Sequence, residues 1–156
     1  MKLIKLSQGK FAQVDDEDFE KVSNFTWSAR KDHKTFYAMS GGIYKGVSTL
    51  KSLHRFIMDA PDGYMIDHID GDGLNCQKIN LRICTNAQNQ WNRSKTIGSS
   101  SMYKGVSFKN NRYEVSIRVN NNRHYLGRFV DEKEAGLAYN SAAIKFHGEF
   151  ANLNTI

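Results

Sequence analysis

The amino-acid sequence predicts an α+β protein built from small antiparallel modules. Short β-rich runs bounded by turn formers fill the first part of the chain, and three period-2 segments followed by a helical pattern fill the last third. The 156 residues are 40% hydrophobic and 12% aromatic, which is enough to build packed cores. A chain of this length forms about one ordinary domain or two small ones.

The first segment is predicted to be rich in strands. Its β-forming runs cover residues 3–6, 11–14, 25–29, 35–39 and 43–47. An acidic cluster at residues 15–20 can be explained as a metal site or as charge at the start of a short helix, and the second explanation is the commoner one. We therefore expect a helix to begin there.

The middle segment is predicted to contain two short strands and a helix. A strand from Met65 leads into a long polar loop, a second strand covers residues 81–84, and a helix covers about residues 86–92. Thr85 can cap this helix while Gln88 returns the hydrogen bond, which is the capping-box pattern.

Two breaks divide the chain. A Pro/Gly turn lies at residues 59–63, and a stretch of small residues at 97–101 is typical of a linker. The sequence therefore predicts a first domain over residues 1–96, with the linker at 97–101 and a second domain over residues 102–156.

The last third is predicted to form a three-stranded antiparallel sheet packed on one helix. Period-2 segments at 103–108, 113–119 and 123–129 are joined by Asn-rich turns. A helix is expected over residues 132–147, because a capping-box pattern precedes small and aromatic residues at helical spacing.

The distribution of charge indicates a polyanionic partner. The formal net charge is +6, and residues 1–94 carry 13 Lys/Arg against 11 Asp/Glu, whereas residues 103–128 carry six against one. Alternation along residues 113–119 places the apolar side chains on one strand face and the polar ones on the other, so the polar face is available to such a partner. The six basic residues are Lys104, Lys109, Arg112, Arg118, Arg123 and Arg128.

Several classes of protein are excluded by composition. No apolar run approaches the ~18 residues of a membrane span, and the first residues alternate charged and apolar side chains unlike an export signal. We therefore expect a cytoplasmic protein without a membrane partner. Cys76 and Cys84 form no second pair, so neither a disulfide framework nor a structural zinc site is predicted.

Residues 66–75 and the segment that follows them are rich in groups for proton transfer and metal binding. A histidine such as His68 has a pKa near ~6.5 and can take a proton from water at neutral pH. The adjacent Asp67 and a side-chain amide can hold a hard cation. Hydrolysis of a phosphodiester needs both functions. The Asp-Gly-Asp-Gly run at 70–73 alone predicts only a turn, and the calcium-loop pattern ending in Glu is absent.

The order of these motifs resembles a known family. Residues 66–71 read Ile-Asp-His-Ile-Asp-Gly, residues 80–82 read Asn-Leu-Arg, and Gln-Asn at 88–89 and Asn-Arg at 92–93 follow. Over residues 53–93 the chain is similar to the phage and intron-encoded branch of the HNH endonucleases, some of which are homing enzymes.

The resemblance implies a ββα-metal fold that holds one Mg²⁺ ion, or Mn²⁺ in its place. It also implies roles for single residues: His68 as general base, Asn80 as the central catalytic position, and Asp67 and Asn89 as metal ligands. A bacterial or phage-infected cell is the implied setting. Two further basic residues of this module are expected to contact DNA, namely Arg82 and Arg93.

This sequence also departs from the family pattern. Residues 74–77 read Leu-Asn-Cys-Gln where the branch usually has Leu-Asp-Asn-Arg, so a carboxylate and an arginine are missing from the loop. The departure leaves the proposed base and ligands in place. His54 precedes the motif in an apolar setting and is expected to have a structural role.

The last third resembles an AP2 DNA-binding domain over residues 102–154. In that family the three-stranded sheet lies in the major groove of DNA and the helix packs behind it. The resemblance therefore implies that Arg side chains of the sheet can reach bases, while Lys104 and Lys109 neutralise phosphates.

Taken together, these features predict a metal-dependent DNA endonuclease that nicks or cuts double-stranded DNA. The partner is duplex DNA, no small-molecule cofactor is expected, and two modules with a linker suggest a monomer. The alternative is a non-catalytic, sequence-specific DNA-binding regulator built on the same scaffold. A third hypothesis, an RNA binder, is less favoured because the sequence has no obvious motif for stacking single-stranded bases.

Overall fold

The computed structural model of the chain describes residues 1–32, 35–44, 47–95 and 98–156, with the backbone alone at 42–44 and 47–49. The chain divides into two compact units, Met1–Thr85 and Asn86–Ile156. This division falls before the predicted linker, whose first residue, Ile97, lies outside the described residues. The described sheets are small and antiparallel and few helices accompany them, consistent with the predicted α+β class. None of the described helices is long and apolar enough to cross a lipid bilayer.

The first unit contains three small sheets and two helices. A hairpin pairs β1 with β2, a three-stranded sheet has the order β3-β4-β5, and a second hairpin pairs β6 with β7. In chain order the elements are β1 (Lys2–Lys5), β2 (Phe11–Val14), α1 (Asp16–Ser23), β3 (Ser28–Asp32), β4 (Thr35–Tyr44), β5 (Val47–Ser52), α2 (Leu53–Met58), β6 (Met65–His68) and β7 (Leu81–Cys84).

The core of the first unit fixes the elements that carry the motif residues. Val14, Val22 and Leu53 are fully buried, and the Trp27 indole donates a hydrogen bond to the carbonyl of Val22 at 2.8 Å. Leu53 is the first residue of α2, which contacts β4, β6 and β7. Burial of this apolar surface, worth about 1.5–3 kcal/mol per large side chain, therefore holds α2 against the strand that ends at His68.

The second unit contains a short helix, a three-stranded sheet and a long helix. Its elements are α3 (Asn86–Trp91), β8 (Val106–Lys109), β9 (Arg112–Val119), β10 (Asn122–Phe129) and α4 (Glu132–His147). The strand order is β10-β9-β8. Both hairpin turns consist of paired asparagines with positive φ, at 110–111 and 120–121, which is the backbone that tight hairpins require.

The helix of the second unit begins as the sequence predicts. Oδ1 of Asp131 accepts a hydrogen bond from the backbone N–H of Glu134 at 2.9 Å, which caps the first turn of α4. Small and aromatic residues then pack on the inner face of the sheet, where Val115 and Ile117 are buried. The alternation predicted along β9 is confirmed, because Arg112 and Arg118 are exposed on its other face.

Two strand predictions in the first unit need correction. Strand β3 begins at Ser28 and not at Phe25. Phe25 instead follows the end of α1, where its ring packs edge-on against Phe56 at 5.0 Å, so its aromatic character reflects packing rather than strand pairing. The predicted strand at 43–47 includes residues 45–46, which lie outside the described residues, and β4 ends before them at Tyr44.

A β-bulge changes which side chains share the outer face of the second sheet. Tyr125 pairs with Ser116 but Gly127 pairs with Val115, so β10 contains one extra residue, Leu126, at this point. Arg123 and Arg128 are five positions apart and would point to opposite faces of a regular strand. The bulge restores them to the same face.

Gly105 allows α4 to lie close to the sheet, and its replacement should destabilise the second unit. It has φ +77°, and a Cβ there would lie 2.0 Å from Cδ2 of Tyr139. We expect Gly105→Ala to lower the free energy of unfolding by about 2–4 kcal/mol, from backbone strain and overpacking. Urea unfolding checks this against Gly98→Ala, where φ is +82° with nothing within 4 Å. Equal losses in the two variants would contradict the packing argument.

Candidate active site

The β6–β7 hairpin brings the central Asp-His pair opposite Arg82 and Leu81 of β7. Its register pairs Asp67 with Arg82 and His68 with Leu81. Nε and Nη2 of Arg82 donate to Oδ2 of Asp67 at 2.8 and 2.7 Å, and the aspartate is only 5% exposed. A buried carboxylate needs such a partner to remain ionised at low cost. The pair therefore fixes the orientation of Asp67 next to His68.

His68 belongs to a cluster of three rings. The ring of His54, on α2, lies edge-on to the His68 ring with centroids 5.0 Å apart, and Tyr37 from β4 packs at 5.6 Å from each histidine. His68 is buried, at 5% exposed. Helix α2 and strand β4 thus restrict how the His68 ring can turn. Sequence analysis missed Tyr37 because no local pattern links positions so far apart in the chain.

The protonation states of the two histidines suit a base. Burial lowers the pKa of His68, although the nearby carboxylates of Asp70, Asp67 and Asp72 oppose the shift. The imidazole is therefore neutral at neutral pH and able to accept a proton. Burial also lowers the pKa of His54 to about 3, with the charges of His68 and Arg55 acting in the same direction. A neutral His54 adds no positive charge beside His68.

Asn80 holds the polar loop between the two strands. Its Nδ2 donates to Oδ1 of Asp70 at 3.0 Å and to the carbonyl of Asn75 at 2.9 Å, and its Oδ1 accepts from the backbone N–H of Asp70 at 3.1 Å. The backbone carbonyl of Asn80 also accepts a hydrogen bond from the N–H of Ile69 at 2.9 Å. Asn80 therefore acts on the chain that immediately follows His68, as a positioning residue.

The loop departs from the family pattern at Asn75 and Cys76, and both residues have partners. Nδ2 of Asn75 donates to Oδ2 of Asp70 at 2.8 Å. Cys76 is buried, and its backbone N–H bonds the carbonyl of Gln13 at 2.8 Å, which joins the loop to β2. Burial raises the pKa of the Cys76 thiol to about 12, so this thiol is not a nucleophile.

Two side chains are the predicted oxygen donors to a hard divalent cation. Asp67 offers a carboxylate, and Asn89, a half-buried residue of α3 in the second unit, carries a side-chain amide. No group of three or more His, Cys, Asp or Glu side chains able to hold a metal occurs among residues 1–32, 35–44, 47–95 and 98–156. Magnesium commonly binds through one or two protein oxygens, with water and substrate phosphate completing its shell, so this sparse set is chemically suitable.

The outer face of the second sheet carries five of the predicted DNA-binding cations. Cross-strand register pairs Lys109 with Arg112, Arg118 with Arg123, and Arg128 with Glu114. All five basic side chains are exposed. The neighbouring carboxylate is that of Glu114, which lies 3.4 Å from Nε of Arg128.

Two other predicted DNA contacts have different surroundings. Arg82 is paired with buried Asp67, as described above. Nζ of Lys104 donates to the backbone carbonyl of Trp91, and burial lowers the pKa of Lys104 to about 8. The structure thus gives both cations partners within the protein, whereas Arg93 is exposed. Their contacts with DNA stay predictions.

Asp70 should couple the stability of the loop to pH. Burial works against its charge, yet hydrogen bonds from Asn75, the Asp72 backbone and Asn80 hold the pKa of Asp70 below its ordinary value. A lowered pKa means that the stabilisation is present above about pH 4 and is lost as the pH falls through the folded-state pKa. We expect Asp70→Asn to cost about 1 kcal/mol at pH 7 and less at pH 3.

Urea unfolding at the two pH values measures this difference. The matched control is Asp62→Asn, at an exposed position, which should change stability little at either pH. A cost for Asp70→Asn that is the same at pH 3 and pH 7 would refute the role of the charge.

Comparison with known proteins identifies the family of this chain. Residues 59–91 match the model of an HNH endonuclease family. The chain is 33% identical, over 99% of its length and 80% of the relative, to an uncharacterized HNH endonuclease of Acanthamoeba polyphaga mimivirus. It is 32% identical to Protein 3.8 of Escherichia phage T7, over 58% of this chain and 76% of that protein. No solved structure gives a significant match. The chain belongs to the HNH endonuclease family.

Proposed function

We propose that the protein is a metal-dependent DNA endonuclease in which His68 is the general base. The observation that carries this proposal is a buried imidazole, neutral at neutral pH, held between His54 and Tyr37 and adjacent to an Arg-paired carboxylate. Membership of the HNH endonuclease family supports a nuclease activity and DNA as the substrate. Cleavage as a nick or as a double-strand cut is compatible with the site, as is the homing type.

The reaction is hydrolysis of a phosphodiester bond. The neutral His68 ring accepts a proton from the attacking water, and the electron pair of that O–H bond forms the new bond to phosphorus. The bond from phosphorus to the leaving oxygen then breaks. Tyr37 and His54 hold the ring of His68, and Asn80 orders the loop behind it. Fixed geometry of this kind lowers the barrier because less freedom is lost in the transition state.

The proposed metal ligands are Asp67 and Asn89, with Mg²⁺ the expected ion and Mn²⁺ a substitute. A divalent ion bound there supplies a Lewis acid for the phosphate and stabilises negative charge on the leaving oxygen. Two hydrogen bonds from Arg82 to Oδ2 fix the orientation of Asp67. Dependence of the activity on a divalent metal is general in the HNH family.

The outer face of the second sheet is proposed to hold the duplex. Five exposed cations against one carboxylate, brought together by strand register and the bulge in β10, form a surface suited to phosphates. The proposed AP2-like mode would place this face in the major groove, where arginines can also reach base edges.

A non-catalytic DNA-binding regulator remains the second candidate function. The loop at residues 74–77, which departs from the family pattern, is the observation that favours it. The neutral His68 and the ordered contacts of Asn75 with Asp70 favour the nuclease. Cleavage assays decide between the two functions.

Removal of the imidazole tests the nuclease directly. We expect His68→Ala to relax supercoiled plasmid about 10²-fold to 10⁴-fold more slowly than the wild type with Mg²⁺ or Mn²⁺, because the general base is gone. EDTA should abolish the wild-type reaction. The matched control is His124→Ala, an exposed histidine of β10 outside the proposed site, which should retain cleavage.

Inactivity of wild type and His68→Ala alike, with duplex binding retained, on a plasmid library containing randomised sequence would support the regulator. Equal activity of wild type and His68→Ala would contradict the assignment of the base.

The basic face makes a separate prediction about binding. We expect Arg112→Ala to weaken duplex binding and to reduce the slope of log K against log salt by about 1, because one phosphate contact and its counterion release are lost. Fluorescence anisotropy with labelled duplex in EDTA measures this at several salt concentrations. Arg30→Ala, an exposed cation on β3 of the first unit, is the charge-matched control and should leave the slope unchanged. A similar change in both variants would show that net charge alone is responsible.

A further inference from the structure

The short helix α3 is held by side chains from distant parts of its own unit. It has only six residues, and helices of this length are not stable alone in water. The last carbonyl groups of a helix also have no partner within the helix. The contacts that stabilise α3 must therefore come from elsewhere.

Two side chains from outside the helix bond the carbonyls at its end. Nζ of Lys104 donates to the carbonyl of Trp91, and Nδ2 of Asn152 donates to the carbonyl of Asn92 at 2.9 Å. A cation at the C-terminal end also interacts favourably with the helix dipole. The reduced pKa of Lys104, about 8, shows that this ammonium is withdrawn from water.

Stacking adds a third contact. The rings of Trp91 and His147 are nearly parallel, at 9°, with centroids 4.5 Å apart. His147 is the last residue of α4, is 6% exposed, and its Nε2 bonds the carbonyl of Arg118 in β9 at 2.9 Å. The Trp91 ring therefore stacks on a ring that α4 and β9 hold in place.

The backbone of Lys104 is fixed in the same way. Its N–H donates to Oδ1 of Asn154 at 2.7 Å, and Nδ2 of Asn154 donates back to its carbonyl at 3.2 Å. Asn154 in turn exchanges two hydrogen bonds with Asn140 of α4, at 2.7 and 2.9 Å. The backbone of Lys104 is thus held in place, and a direct role in neutralising phosphate would require Nζ to leave the carbonyl of Trp91.

We propose that Trp91, Lys104 and His147 are positioning residues that fix α3, and with it Asn89, on the second unit. The proposal rests on the proposed function, in which Asn89 is a metal ligand. Asn89 lies two residues before Trp91 on the same short helix, so loss of the Trp91 contact displaces the ligand.

The experiment combines hydrogen exchange with metal-dependent cleavage. In Trp91→Ala without metal, amide exchange over residues 86–92 should accelerate at least about tenfold, while α4 keeps its protection. With duplex at saturating enzyme, the half-saturating Mg²⁺ concentration should rise about 10–100-fold, the range found for residues that orient metal ligands. Affinity for duplex in EDTA should stay unchanged.

Three variants sharpen the test. Trp91→Phe keeps an aromatic ring for His147 and should recover most of the wild-type Mg²⁺ dependence. Lys104→Met keeps the apolar stem but removes the donor, and should show the same two changes as Trp91→Ala if that variant does not fold. Arg112→Ala is the contrasting variant, because it should weaken duplex binding without changing either α3 exchange or the Mg²⁺ requirement.

Unchanged amide exchange over α3 in both Trp91→Ala and Lys104→Met would overturn the proposal that these residues hold α3 on the second unit. Faster exchange with an unchanged Mg²⁺ requirement would overturn the link to Asn89. If the wild type does not cleave DNA at all, both the proposed function and the link to Asn89 fail. The exchange data still decide whether the three residues hold α3.

Discussion

The buried pair of Asp67 and Arg82 is the interaction on which the candidate site depends. It joins β6 to β7 at the point where a slip of one residue would turn His68 to the opposite face of the hairpin. Removing one partner would leave an uncompensated buried charge, which is costly. The same contact fixes the orientation of the carboxylate that precedes the proposed base in the chain. The register of the hairpin and the orientation of Asp67 therefore both depend on one ion pair.

Around this pair, the first unit restricts the motions of His68 from several directions. Tyr37 and His54 contact its ring, and Asn80 orders the loop that follows it. These contacts come from a strand, a helix and a loop whose positions are set by a single apolar core. A base held in this way requires little reorganisation when substrate arrives. In the second unit, α3 is likewise held by a ring contact, that of Trp91 with His147.

The sequence predicted the elements of the second unit closely, since α4 covers the predicted residues 132–147 and its cap at Asp131 is present. The resemblance to the HNH family, carried by its motifs, also pointed to the Asp67-His68 pair, Asn80 and Asn89, and the roles of these residues stay predictions. It did not locate the start of β3, because Phe25 is aromatic for reasons of packing. The shared face of Arg123 and Arg128 could not be derived from a regular period of two, because a bulge intervenes.

Sequence by itself determined which local structures form and which chemical groups are present. Periodicity, turn residues and motif spacing depend on neighbours along the chain, so they are readable without a fold. Only the tertiary structure decided which partners those groups contact. Arg82 bonds the carboxylate of Asp67, and Nζ of Lys104 donates to the carbonyl of Trp91 at the end of α3. Both cations are typical DNA contacts by residue type. The structure adds partners within the protein, because burial makes an unpaired polar group costly and the groups that satisfy it come from distant parts of the chain.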